Sequence, residues 1–154
     1  MRRTVIKPFI VVLALALSAG LGGCAREPTI AFRLASTSPT EGRNPMTLLA
    51  QDSTFYVSDS SVLSDNELAE VRVIRAEPRM GLRIKLTAEG QSRLAAATAS
   101  HVGERLALVI DSRLLAAPLI VERVGGSDFV AGFEAPKDVE EKIAAIVEKR
   151  WAKQ

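Results

Sequence analysis

Cys24 is the only cysteine of the 154-residue chain and the first residue whose chemistry the sequence points to. It follows Leu21-Gly22-Gly23, at the end of an N-terminus that is first basic and then apolar. The basic part carries Arg2, Arg3 and Lys7. Basic residues, an apolar run and then small residues are typical of a segment that directs export and is removed afterwards. With no second cysteine, the exported domain must fold without a disulfide.

This N-terminal segment resembles a bacterial lipoprotein signal, in which Leu21 matches the position three before the cleavage site and Gly23 the position one before it. Gly22 stands where alanine or serine is more usual. The resemblance implies cleavage before Cys24, diacylglycerol on its thiol and acylation of the new N-terminus. One acyl chain holds a protein only marginally, so several chains together make a stable membrane anchor. The alternative is an uncleaved membrane helix, but the uncharged run 9–21 is shorter than the roughly 20 apolar residues that a span needs.

Charge and length limit the partners of the exported part. After the signal segment the chain has 17 basic and 18 acidic residues, a net charge of −1. Charges of both signs are interspersed, so we expect no nucleic acid and no anionic surface as an electrostatic partner.

About 130 residues form one ordinary domain. Residues 25–28 leave almost no spacer after Cys24, so the domain is expected to lie against the lipid headgroups.

Other residues that could do chemistry have simpler structural explanations. His101 is the only histidine and falls near the end of a predicted helix, where an imidazole cation is favoured without a catalytic role. One histidine and no free cysteine leave no set of metal ligands. The cluster Ser58, Asp59, Ser60 and Ser61 follows a predicted strand and is typical of a turn, with no base placed to activate a serine.

The acidic residues and glycines lead to the same conclusion. Asp65, Glu67 and Glu70 could pair for acid–base chemistry, but helix capping explains the first two and a solvated face the third. Gly125-Gly126-Ser127 lacks the spacing and the lysine of a phosphate-binding loop. We therefore expect no enzymatic activity, no cofactor and no metal.

The elements that carry these residues begin with a strand at 29–34 and a polar stretch at 35–47, which is predicted to be a surface loop. Alternating or β-rich composition predicts strands at 54–58, 71–76 and 82–86. Ser64 and Glu67 have the spacing of a capping box, which predicts one helical turn before the second of these strands.

Two longer helices are predicted, with further strands between them. Thr87 caps the first helix, in which Glu89 is spaced to pair with Arg93. Pro136 opens the second, whose apolar stripe is Val139, Ile143, Ile146 and Val147. Strands are predicted at 105–110, 113–116, 119–121 and 129–131. Pro118 forces an edge, bend or bulge within this region. The order predicts an α+β fold, a largely antiparallel sheet with both main helices packed on one face.

A series of short motifs runs through the second half of the chain. It consists of Leu86-Thr87-Ala88-Glu89-Gly90, the stretch 102–111, Ala117-Pro118-Leu119-Ile120, Gly125-Gly126 and Ala131-Gly132-Phe133. In this order the motifs resemble the head subdomain of the first periplasmic region of SecD, a subunit of the bacterial preprotein translocase accessory complex. Upstream, Leu63-Ser64-Asp65 and Ala69-Glu70-Val71 resemble the entry to that subdomain. The resemblance covers about 54–149 and implies a ferredoxin-like sandwich.

The chain departs from the family pattern at two positions, because Ser112 stands where glycine eases a hairpin and Ala116 where serine is usual. The sequence also shows none of the transmembrane helices that couple proton flow to movement in SecD. We therefore carry over no motor activity.

What the resemblance implies is binding, since the SecD head subdomain is thought to capture emerging, unfolded polypeptide. An exposed sheet edge offers unpaired backbone groups to an extended peptide of any sequence. The expected docking edge is Arg113, Leu115, Leu119, Ile120 and Val121. The alternative is an edge that binds nothing and only closes the sandwich.

Two functions stay open at this point. The first is an envelope lipoprotein that binds unfolded exported polypeptide, and the second is a structural or inhibitory envelope lipoprotein with one specific folded protein partner. A binding module for a small ligand or the cell wall needs a pocket lined by aromatic and polar groups. The chain has only one Trp, one Tyr and five Phe, so such a module is disfavoured. Ala25 is not the aspartate associated with inner-membrane retention, which favours the outer membrane of a Gram-negative host, with the domain facing the periplasm.

The predicted organisation has four parts. These are the signal segment 1–23, a lipid tether 24–28, an N-terminal strand and polar loop 29–53, and the SecD-like domain 54–154.

Overall fold

A computed structural model describes residues 29–151, so the predicted signal segment and lipid tether lie outside the described residues. Within this range the chain forms eight strands and two α-helices. They are β1 (Ile30–Ser36), β2 (Arg43–Thr47), β3 (Thr54–Leu63), β4 (Leu68–Ala76), β5 (Arg79–Leu86), α1 (Ala88–Ser100), β6 (Arg105–Ile110), β7 (Arg113–Ala116), β8 (Asp128–Phe133) and α2 (Lys137–Trp151). A 3₁₀ turn, Asp65–Glu67, separates β3 from β4. Neither α1 nor α2 has the length and apolar character needed to cross a membrane.

The strands form two antiparallel sheets rather than one. The larger sheet has the order β2-β3-β1-β6-β7 and the smaller one the order β4-β5-β8. Two helices with antiparallel sheets make the α+β fold that the sequence predicts, and that prediction is confirmed. The division into two sheets could not be read from the strand order, because every pairing except the local hairpins joins strands that are distant in sequence.

One apolar cluster joins both sheets and both helices. The larger sheet contributes Ile30, Phe32, Leu108 and Ile110, and Leu94 enters from α1. Further members are Val71, Leu82 and Ile84 from the smaller sheet and Val139, Ile143, Ala144 and Val147 from α2. The predicted stripe of α2 is therefore buried except for Ile146, which is only partly buried while Ala144 packs in the cluster.

A second, smaller cluster lies on the other face of the five-stranded sheet and includes Phe55, Val57 and Val109. The chain beyond β2 reaches across to β7, where the Leu49 amide donates to the Leu114 carbonyl at 3.1 Å. The two edge strands of this sheet are thereby joined at one point, and the sheet curls around the second cluster.

Three local predictions are wrong. The stretch 35–47 is not all loop, because β2 pairs with β3 from Arg43 to Thr47. The polar cluster 58–61 lies inside β3 rather than in a turn, at an irregularity in its pairing with β1 that accommodates the extra residues. Residues 119–121 form no strand, because the β7 ladder ends at Ala116 before Pro118 and only a single bridge joins Leu119 to Arg105.

The hairpin between β6 and β7 gives a first testable prediction. Asp111 and Ser112 both have positive φ, 49° and 61°. A turn of this kind favours glycine at its second position, and serine there carries a steric cost. We expect Ser112→Gly to raise the free energy of unfolding by about 0.5–1 kcal/mol in denaturant titrations. Ser92→Gly, inside α1, is the matched control and is expected to lower the free energy of unfolding. A lower free energy of unfolding in both variants would contradict the explanation.

Candidate functional site

The structure divides the predicted docking edge into two parts. Arg113 and Leu115 lie on β7, whose outer side already accepts the Leu49 amide through Leu114. The side chain of Leu115 is buried in the main cluster. Backbone groups at this end of β7 are therefore partly occupied, and the part of the edge that stays open is residues 119–121.

This open part is held firmly on its inner side. The Leu106 amide donates to the Pro118 carbonyl at 3.0 Å. The Ile120 amide donates to the backbone carbonyl of Glu104 at 2.8 Å, and the Gly103 amide donates to the Ile120 carbonyl at 2.8 Å. Ile120 is buried and anchors the segment. Because backbone groups alternate in direction along an extended chain, those of Leu119 face away from β6.

An apolar groove opens beside this segment, and we call it the edge groove. Its volume is ≈ 410 Å³. One rim is 118–122 with Val124, the other rim is 129–132 of β8, and the floor consists of Phe32, Leu94, Leu106 and Leu108. Among the described residues that line the edge groove, Glu122 is the only titratable one. The edge groove therefore suits apolar side chains rather than charged ligands.

The second rim also presents free backbone groups. The Leu86 amide of β5 donates to the Ser127 carbonyl at 2.7 Å. Ser127, just before β8, therefore directs its backbone groups toward β5. Since the pattern alternates, Asp128, Val130 and Gly132 direct their amides and carbonyls away from β5. The β8 edge thus faces an open side, as a peptide that adds a strand requires.

Exposed apolar side chains concentrate around the edge groove. Within residues 29–151, four large hydrophobic residues are exposed: Leu119 (50%), Val121 (72%), Val130 (59%) and Val102 (56%). Three of the four, Leu119, Val121 and Val130, line the edge groove, whereas Val102 lies outside its lining. Single exposed hydrophobic residues need no explanation, but a group around a groove marks an interaction surface.

Buried polar groups fix the shape of the first rim. The Thr98 hydroxyl donates to the Leu94 carbonyl at 2.7 Å and accepts the Val124 amide at 2.9 Å. The Arg105 guanidinium donates to the Ala117 carbonyl at 2.7 Å. These bonds tie the segment to α1 and β6 at both ends, so the rim is largely formed before any ligand arrives.

The residues considered for catalysis have structural roles. His101 caps the C-terminus of α1, with Nδ1 2.8 Å from the Ala97 carbonyl oxygen. Asp65 accepts the amides of Thr29 and Ile30 at 2.9 and 2.8 Å and lies 3.1 Å from the Arg150 guanidinium. These contacts end α1 at His101 and join the start of β1 to the end of α2.

The remaining candidates also make structural contacts. Glu70 pairs with Arg72 on the outer face of the smaller sheet, and Asp59 accepts a hydrogen bond from Asn44 at 2.6 Å. Gly126 has a φ of 117° and serves a turn whose Ser127 carbonyl bonds to β5. The part of the chain that the structure describes contains no group of three residues that could hold a metal ion.

Glu67 completes the capping arrangement that the sequence predicts. Its carboxylate accepts the Ser64 amide and hydroxyl, both at 2.7 Å, and an Arg93 guanidinium at 2.8 Å. The predicted partner of Arg93 was Glu89, but Arg93 reaches back to Glu67 instead. Burial would raise the pKa of the Glu67 carboxyl, but the Ser64 hydrogen bonds and the Arg93 charge outweigh burial and hold that pKa below its ordinary value of 4.5.

This lowered pKa predicts the pH dependence of stability. A carboxyl that ionises more readily in the folded state stabilises the fold fully above pH 4.5, and this contribution is lost as pH falls through the lowered pKa. We expect the free energy of unfolding to decrease in acid, and less steeply in Glu67→Gln than in the natural chain. Parallel pH profiles in chemical denaturation would contradict this role of Glu67.

Sequence reasoning missed the β8 edge. The signal was present in the alternation of Asp128, Val130 and Gly132 with Phe129 and Ala131, which places Val130 on the face away from the core. What the sequence could not show is that β8 ends a three-stranded sheet and faces the 118–122 segment.

Comparison with known proteins places the fold. The model of the SecDF P1 head subdomain matches residues 42–146, more than half of the chain. A crystal structure of SecDF in a super-membrane-facing form is 22% identical with a TM-score of 0.55, over 78% of this chain and 18% of that one. A SecDF structure described as a membrane component that enhances protein export is 23% identical with a TM-score of 0.55, over 78% of this chain and 61% of that one.

The chain spans less than two thirds of either of these SecDF chains, and at this identity the likeness shows the fold alone. No curated protein sequence matches it. The family match, however, extends from β2 through most of α2 and includes both rims of the edge groove. The chain therefore belongs to the SecDF P1 head subdomain family.

Proposed function

We propose that this chain is a lipid-anchored envelope protein that binds extended polypeptide in the edge groove, without catalysis, in a role linked to protein export. The observation that carries the proposal is the edge groove itself, where an apolar floor lies between two rims with outward backbone groups. The link to export comes from the family and from the SecDF relative described as enhancing protein export.

The binding mode follows from strand geometry. A peptide that adds to the β8 edge bonds to the backbone of Val130 whatever its own sequence. Its side chains alternate, so every second one enters the edge groove between Leu119 and Phe129. Burying each such apolar side chain contributes about 1.5–3 kcal/mol, which is offset in part by the cost of ordering the peptide. Weak, sequence-tolerant binding is the expected result.

The proposed anchor places this surface at a membrane. Acylated Cys24 would lie five residues before Thr29, whose amide is fixed by Asp65 at one end of β1. The edge groove includes Leu106 and Leu119, which lie near the opposite end of β1, since Leu106 pairs with Leu34. In this proposal the edge groove lies away from the lipid. The protein faces the periplasm, and the outer membrane is favoured.

The test measures binding of a chemically unfolded exported protein to the purified full chain by fluorescence anisotropy. Leu119→Asp/Val121→Asp places two charges on the rim, and we expect at least about tenfold weaker binding because two apolar contacts are lost. Val102→Asp is the control, since Val102 is equally exposed and does not line the edge groove. Thermal melting verifies that all three proteins are folded.

Equal affinity in the natural chain and the double variant would contradict the proposed site. A structural or inhibitory lipoprotein with one folded partner would bind no unfolded chain in either form. That result would overturn the proposed function as a whole.

A further inference from the structure

The outer edge of β4 is a second open strand edge. β4 is nine residues long, about 30 Å, and among residues 29–151 it pairs with β5 alone. The two-residue loop Glu77–Pro78 is closed by the pair Ala76 and Arg79, which is a hydrogen-bonded pair in such hairpins. By alternation, Val71, Val73 and Arg75 direct their amides and carbonyls to the open side.

A groove of ≈ 500 Å³ runs along this edge, lined on one side by residues 69–73 and on the other by Val147, Glu148 and Trp151 of α2. β4 contains no proline that would block pairing. Leu68 and Glu70 pair with the adjacent residues Leu86 and Lys85, so Ala69 is the extra residue of an irregularity and the regular backbone begins at Glu70. The part of β4 that borders the groove is 69–73, and Val71 lies at its centre.

We propose that this edge pairs with the same edge of a second copy of the chain, antiparallel, about a two-fold axis at Val71. A two-fold contact uses the same surface on both copies, so residues equally distant from the axis face each other. Val71 then bonds to its own counterpart, and Ala69 lies opposite Val73 of the second copy. Both Ala69 and Val73 are half-buried in one copy and would lose further exposure.

The charges on the outer face select this partner and this register. Glu70 and Arg72 lie on either side of Val71 and form an ion pair within the chain. Across the axis, each Glu70 lies opposite Arg72 of the second copy, in a non-hydrogen-bonded pair with Cβ atoms about 4.5–5.5 Å apart. The four side chains form a square in which every neighbour, along the strand and across it, has the opposite sign.

Other registers lose this complementarity. A shift that centres the axis on Val73 would place Arg72 opposite Ile74, and would leave the two Arg72 side chains diagonal to each other with no carboxylate opposite. A one-residue slip would turn the outward backbone groups of one strand away from the other. The pattern of charges therefore favours self-pairing about Val71.

A charge-swap series tests the dimer by sedimentation equilibrium of the full chain in density-matched detergent. We expect a dimer for the natural chain and at least about tenfold weaker association for Glu70→Arg and for Arg72→Glu, because each creates two like-charge contacts. The double variant Glu70→Arg/Arg72→Glu restores the square and is expected to dimerise again. Arg123→Glu, an exposed charge reversal away from β4, is expected to leave association unchanged.

The proposal is overturned if the natural chain stays monomeric over the whole concentration range. It is also overturned if the single reversals associate as well as the natural chain, or if the double variant fails to recover while circular dichroism shows it folded. These outcomes are independent of the edge groove, which lies at β8, the opposite edge strand of the smaller sheet.

Discussion

Replacing Asp65 with alanine is expected to lower the free energy of unfolding by about 3 kcal/mol, because two backbone amides lose a charged acceptor. The Asp65 side chain is only 8% exposed and accepts the amides of Thr29 and Ile30. It also pairs with Arg150 near the end of α2, although that guanidinium is 43% exposed and can be solvated once the pair is lost. A typical domain has about 5–15 kcal/mol of stability, so the loss would be a large share.

Asp128→Ala is the matched control for this prediction. Asp128 also pairs with an arginine, Arg83 at 2.7 Å, and the hydrogen bonds and charge of Arg83 lower the pKa of its carboxyl. Both partners are solvent-exposed, however, and exposed pairs contribute little to stability. Chemical denaturation should therefore separate the two variants clearly. Equal losses would show that the amide contacts of Asp65 are not what stabilises this end of β1.

Gly90→Ala is the second substitution with a large expected effect. A Cβ at Gly90 would lie 2.7 Å from the Glu67 carbonyl oxygen and 3.0 Å from the Glu67 Cβ. The first contact is with backbone, so α1 or the 3₁₀ turn must move. Alanine favours a helix over glycine by about 1 kcal/mol, but this overpacking costs about 1–3 kcal/mol and the displaced turn also carries the Glu67 contacts. We expect a net loss of about 1–2 kcal/mol in thermal or chemical unfolding.

The control for this prediction is Gly132→Ala. Gly132 lies in β8, and a Cβ there meets no atom within 4 Å. Since the added methyl group has space, Gly132→Ala is expected to be neutral or slightly stabilising. If Gly90→Ala were equally neutral, that result would contradict the explanation that α1 lies too close to the 3₁₀ turn for a side chain at residue 90.

The contacts around Gly90 give a physical reason for a glycine after Thr87 and Glu89 in this chain. Of the motif glycines, Gly103 and Gly126 have positive φ angles. Gly90 serves a close approach instead, and that approach joins α1 to a turn more than 20 residues earlier. Only the folded chain shows such a contact.

Local signals were read correctly where they act over a few residues. The spacing of Ser64 and Glu67 predicted the 3₁₀ turn, and Thr87 caps α1 by accepting the Gly90 amide at 3.1 Å. The alternation in 82–86 identified β5 and its buried face. In each case the interaction lies within one turn or one strand, where sequence patterns carry most of the information.

Signals that depend on distant partners were not readable. Arg93 is spaced for Glu89 but binds Glu67, since a buried carboxylate with other hydrogen bonds is the better partner. The polar composition of 35–47 concealed β2, which exists because β3 offers a pairing edge and Met46 packs against the second cluster. Residues 119–121 have strand composition, yet their function in the proposed site comes from lying outside a strand, with one side bonded and the other open.

The central claim, that extended polypeptide enters the edge groove, is tested most directly by site-specific photocrosslinking in cells that make the full chain and a defined exported protein whose translocation is stalled. A photoreactive residue at Val121 or Val130 is predicted to crosslink to the stalled polypeptide, and one at the exposed Ser92 of α1 is predicted not to. Crosslinks at Ser92 as strong as those at the edge groove, or none at either rim, would contradict the account.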